Sequence, residues 1–167
     1  MVSREEALQI AARETRQGPA LVDPLFAPWR SASLGEPVLV SDLWKQPTYW
    51  LVPVELGGRA IGYVRVLGTG RVGAMGVYYR NPAQLETAPA TVTGIDSVEA
   101  ARQAAIRIDP TRGETARPPI YVHDGPPGRE AWLVEVVQDR RPVRWLFITQ
   151  GGVYERPAGS TLDEGLE

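Results

Sequence analysis

A chain of 167 residues, 43% hydrophobic and 23% charged, can bury a core, which excludes a disordered protein. Its net charge of −2 excludes a global field that would draw in nucleic acid or a membrane. The absence of cysteine removes disulfides, zinc–thiolate sites and thiol nucleophiles together, and no apolar run approaches the ~20 residues of a membrane-spanning helix.

The first element is a helix over Ser3–Arg13, with a serine able to cap it and acids in the first turn. Its sequence recurs at Ser97–Arg107 with six of eleven positions identical, an offset of 94. After the first helix comes Gly18–Trp29, where Pro19, Pro24 and Pro28 stiffen a loop carrying Leu21 and the aromatic pair Phe26 and Trp29; Trp44 lies just beyond. A strand is predicted over Val38–Leu43. Then Trp50-Leu51-Val52-Pro53-Val54, a Gly57-Gly58 turn and Ile61–Val66 read as a hairpin, dense in β-branched and aromatic residues.

Gly68–Gly73 spells G-x-G-x-x-G, but Ala74–Tyr79 after it reads as a strand. The dinucleotide motif needs a helix there, so this run is a hairpin turn. Asn81–Gly94 is a proline- and threonine-containing joint. Beyond it the pattern returns: the second helix, a strand over Ile120–His123, then Trp132-Leu133-Val134-Glu135-Val136, a turn at Asp139-Arg140, and Val143–Ile148. These hairpins match at an offset of 82, so the first copy carries twelve extra residues (94 − 82) between helix and hairpin. Arg71-Val72 and Gly152-Val153 each open a further strand.

The expected fold is therefore α+β: two tandem repeats, each an N-terminal helix packed on a curled antiparallel sheet of three to four strands. The first repeat spans 1–93, with a proline- and aromatic-rich insertion at about 18–37. The second spans 94–167, with a flexible tail over about 158–167. Both hairpins are apolar on both faces, Ile61 and Tyr63 against Val64 and Val66, Trp145 and Phe147 against Leu146 and Ile148. One helix covers one face, so the other must meet the second copy or a partner.

The order helix, strand, hairpin, strand, with an aromatic-Val-x-Val segment and a late Gly-x-Val, resembles the PepSY domain. That resemblance implies a cystatin-like arrangement of helix against sheet, an extracytoplasmic setting if a leader has been removed (cytoplasmic otherwise), and control of a peptidase or binding of an envelope protein.

No catalytic constellation is expected, and no metal or cofactor. His123 is the only histidine and Asp124 beside it reads as exposed; neither a zinc set nor a triad can be assembled around one histidine. The carboxylates are scattered, and Arg140, Arg141 and Arg144 read as a solvated sheet surface. The chain reads as a noncatalytic module binding a protein partner, with Phe26, Trp29 and Trp44 as a recognition surface. The alternatives are a small-ligand pocket between helix and sheet lined by Trp50, Tyr63, Trp132 and Trp145, or a structural homodimer.

Overall fold

The computed structural model of the protein describes residues 1–17, 22–125 and 128–160. The fold is α+β, with a large mixed sheet of ten strands among the described residues. It divides into two compact units, Met1–Val40 with Gln46–Gly94, and Ser41–Lys45 with Ile95–Glu167.

In the first unit, α1 (Arg4–Gln17) starts at a capping box. The Glu6 amide donates to Ser3 Oγ at 3.2 Å and the Ser3 amide to Glu6 Oε2 at 2.7 Å, so two otherwise unpaired donors are satisfied. Ala7 and Ala11, four residues apart and hence on one helical face, are fully buried. They share an apolar cluster with Val52, Val54, Val64 and Val66.

Those valines come from β3 (Pro47–Leu56) and β4 (Arg59–Leu67), which pair antiparallel with Trp50 opposite Val66 and a bulge at Val54/Glu55. Gly57 and Gly58 join them with φ of 61° and 75°, as a two-residue turn of the primed type requires. β5 (Val72–Val77) pairs with β4, so the G-x-G-x-x-G run closes a hairpin. On the other side β3 carries β1 (Ser33–Leu34) and, next in order, β2 (Val38–Ser41).

The second unit has α2 (Ser97–Ala105), β6 (Thr115–Ala116), β7 (Ile120–His123), β8 (Glu130–Gln138), β9 (Arg141–Thr149) and β10 (Gly152–Pro157). β7 through β10 pair as neighbours in sequence order, and β6 lies on β8. Ala100 and Ala104 are buried in a cluster with Val134, Val136, Leu146 and Ile148. The opposite faces of the same strands bury Leu133, Trp145 and Phe147 with Val122 and Leu43. Apolar residues on both faces are thus observed within one unit.

Three sequence expectations are corrected. Asp96, not Ser97, caps α2, its carboxylate accepting the Glu99 amide at 2.8 Å. Ser3 and Asp96 each stand four residues before a buried alanine, Ala7 and Ala100. The stiff loop is a 3-10 helix over Pro24–Ser31, because Asp23 caps it by accepting from the Leu25 amide at 2.8 Å, and proline suits the first helical position. Leu21 and the rest of 18–21 lie outside the described residues, as does the expected tail from 161 onward. Finally, Ser41–Lys45 belongs to the second unit: Ser41 pairs in parallel with Val122, and the Lys45 ammonium donates to Glu135 Oε2 at 2.7 Å.

Candidate functional site

A groove of about 700 Å3 opens in the first unit beside α1. Leu8 and Ala12 face it from the helix, Leu34 and Val54 from β1 and β3, and Trp29 from the 3-10 helix. Arg16 and Arg30 also line it. No acidic side chain does, among the described residues. Its volume falls in the ~300–1,000 Å3 range of small-molecule sites.

Trp29 is fixed from several sides. The Tyr79 hydroxyl donates to the Leu25 carbonyl at 2.6 Å, tying the 3-10 helix to the end of the hairpin. Burial pushes the Tyr79 phenol above its usual range, so it stays a neutral donor. Phe26 meets the indole edge-on at 4.7 Å and 85°. Beneath it lies Gly62, where an added Cβ would stand 2.7 Å from Trp29 Cζ2 and 2.5 Å from the Gly76 carbonyl oxygen. Trp29 is 3% exposed, and its indole N–H is buried without an acceptor among the described residues. Such an orphan donor costs about 1–3 kcal/mol and calls for an explanation.

The other sequence-predicted residues do not converge there. Trp50 and Tyr63 lie on opposite faces of their hairpin, since Tyr63 neighbours Val64, which faces Val52 beside Trp50. Trp132 and Trp145 are likewise on opposite faces. The pocket expected from these four aromatics is therefore not formed: strand alternation separates the members of each pair.

Trp50 instead donates its indole N–H to the Val2 carbonyl at 3.1 Å, and Trp132 to the Ile95 carbonyl at 2.9 Å. Each locks the residue before a helix cap. Tyr63 packs near Tyr78, ring centroids 5.6 Å apart, and Trp145 donates to Glu135 Oε1 at 3.2 Å. Trp44 stands 67% exposed on a turn held by the bond from the Lys45 amide to the Asp42 carbonyl.

Among the described residues, three buried carboxylates belong to the second unit. Glu135 accepts from Lys45, Arg117 and Trp145; burial raises its pKa, but the two cations outweigh it and the carboxyl ends below its usual range. Glu114 is held low first by the Asp109 amide and then by Arg144, its oxygen lying 2.9 Å and 2.7 Å from them. Asp124, expected to be exposed, is 1% exposed because Arg156 and the Tyr154 hydroxyl reach it from β10. The Tyr154 phenol is pushed up to about 12, chiefly by burial and then by that carboxylate. Arg144, read as solvated, bridges Glu114 and Glu155. His123 Nδ1 lies 2.7 Å from the Gly125 carbonyl oxygen. Among the described residues no three His, Asp or Glu side chains gather as a metal would require, and no helix is long and apolar enough to cross a membrane.

Sequence reading singled out Trp29 but missed Gly62, Arg16 and Arg30. A signal for the first existed: glycine inside an apolar strand marks close approach of another group.

These features define an α+β protein with a half-open groove on one unit. Compared with known protein families, curated proteins and solved structures, the chain matches none.

Proposed function

We propose that the chain is a noncatalytic binding module of two related PepSY-like units, each a helix packed on a curled antiparallel sheet, and that the first unit binds its ligand in the α1 groove. Several equivalences at an offset of 82 support the two-copy reading. Gly35 and Arg117 each donate their amide across to Pro53 and Glu135 at 2.9 Å. The hairpins share register and bulge, and Trp50 and Trp132 make the same helix-locking bond.

The observation that carries the binding reading is a difference between the copies. Ala32 and Gly62 of the first unit fall on Glu114 and Arg144 of the second (32 + 82, 62 + 82), a part-buried ion pair at 2.7 Å. Where the second copy fills the space with its own side chains, the first has small residues, an added Trp29 and a groove. α1 also continues past the equivalent of the α2 end, bringing Thr15 and Arg16 to that groove.

Nile red, a neutral apolar dye, is expected to bind one to one, and Ala12→Phe, which fills the groove from the helix, to remove binding while leaving the circular dichroism spectrum unchanged. Equal binding by a folded Ala12→Phe protein would move the site elsewhere.

A second reading, a protein partner in the cell envelope, rests on Trp44. A large exposed aromatic on a stapled turn is the kind of residue that anchors interfaces. The protein is expected to slow a peptidase encoded beside its gene, and Trp44→Ala to lose the effect; a peptidase indifferent to the wild-type protein ends this reading.

A further inference from the structure

We infer that the edge of β5 takes an extended acidic peptide as an added strand. The inference goes beyond the α1 groove and stands without it.

Among the described residues β5 has β4 as its one neighbour. The Tyr78 amide donates to the Ile61 carbonyl at 2.9 Å, which fixes the alternation of the ladder. Ala74, Gly76 and Tyr78 turn their backbone toward β4, and Met75 and Val77 turn theirs away. The outward N–H and C=O groups of those two residues have no partner among the described residues. The bulge opposite Arg65/Val66 lies at the start of the strand and leaves Ala74–Val77 in regular register. β5 contains neither a charged residue nor a proline, the usual devices that keep an edge from pairing. β10, the outer strand of the second unit, carries Glu155, Arg156 and Pro157. Tyr63 adds a side-chain contact at the open edge. Its ring lies across Gly76, where an added Cβ would stand 2.8 Å from a ring carbon and 2.9 Å from the hydroxyl oxygen. A residue entering beside Gly76 therefore meets an aromatic ring, the kind of pocket that gives an added strand its specificity.

Charge selects the occupant. From Leu56 to Leu85 the chain contains Arg59, Arg65, Arg71 and Arg80 and no aspartate, glutamate or lysine. Arg71 and Arg80 flank β5 and are exposed, and their side chains make no ion pair or hydrogen bond among the described residues. They stand nine residues apart (80 − 71). An extended peptide of about that length, rising ~3.3 Å per residue, brings an acid at each end to a guanidinium. A second copy fits less well. Antiparallel pairing of two β5 strands about a two-fold axis at Met75 sets the Arg71 of each chain beside the Arg80 of the other, and like charges facing across strands repel.

The test uses the full chain and a fluorescein-labelled nonapeptide, glutamate at both ends with alternating valine and threonine between, read by fluorescence polarisation. The peptide is expected to bind about tenfold or more tightly than the same peptide with lysine ends, and to weaken as salt is raised. N-methylation of its central amides, which keeps the charges and removes the ladder bonds, should abolish binding. The Met75 and Val77 amides should gain protection from hydrogen exchange when the peptide is added. Arg71→Gln with Arg80→Gln, both on the surface, should weaken binding severalfold without changing the circular dichroism spectrum. No binding, equal binding of the lysine or N-methylated peptide, or binding that leaves Met75 and Val77 unprotected overturns the inference. A dimer by light scattering with those two amides protected before any peptide is added gives the edge to a second copy and overturns it too.

Discussion

The indole of Trp29 lies directly on Gly62, with the Gly76 carbonyl at its side, so that no side chain fits between β4 and the 3-10 helix. The packing seats the helix that walls the groove. Its position therefore depends on a residue that contributes no side-chain atoms. Gly62→Ala is expected to cost about 1–3 kcal/mol, because its Cβ meets a backbone oxygen that cannot rotate away. A lower urea midpoint together with altered Trp29 fluorescence, read in a variant keeping Trp29 as the only tryptophan, would verify the displacement. An unchanged midpoint would mean that the strands separate freely.

Trp50 and Trp132 provide a matched pair. Removing either indole N–H leaves the Val2 or Ile95 carbonyl to find water, at about 1 kcal/mol for the bond and somewhat more for lost packing. Trp50→Phe and Trp132→Phe should each lower stability by about 1–2 kcal/mol, and each should raise amide exchange in the first turn of its own helix only. Loss confined to fluorescence, with exchange unaltered, would show that the bonds do not hold the helix starts.

The acid response follows from Glu114 and Glu135, whose carboxyls are held below their ordinary range. A depressed folded pKa gives stability that is present above the unfolded value of ~4.3 and lost as pH falls through the folded one. The urea midpoint should therefore hold above about pH 5 and fall below pH 4. Glu114→Gln should begin less stable at pH 7 and show a shallower fall; identical slopes for variant and wild type would remove Glu114 as a contributor.

One turn is improvable. Asp139 and Arg140 sit at φ of 50° and 65°, the left-handed region that costs a side-chain-bearing residue energy, whereas the matching turn uses Gly57-Gly58. Arg140→Gly should raise stability by about 0.5–1 kcal/mol, seen as a higher melting temperature with unchanged hairpin cross-strand NMR contacts. A lower melting temperature would assign Arg140 a contact that outweighs its strain.

The sequence by itself determined the local elements. Trp-Leu-Val-x-Val segments read as strands and Gly57-Gly58 as a tight turn. It could not determine the helix register beyond one residue, because Asp96 and Ser97 are both able caps and only packing of Ala100 and Ala104 chooses between them. Nor could it gather the groove. Arg16, Ala32, Val54 and Gly62 are spread over nearly fifty positions, and strand alternation and the seating of Trp29, both decided in three dimensions, determine what shares a face. The aromatics that looked most like a binding site were sorted to opposite sides of their sheets for the same reason.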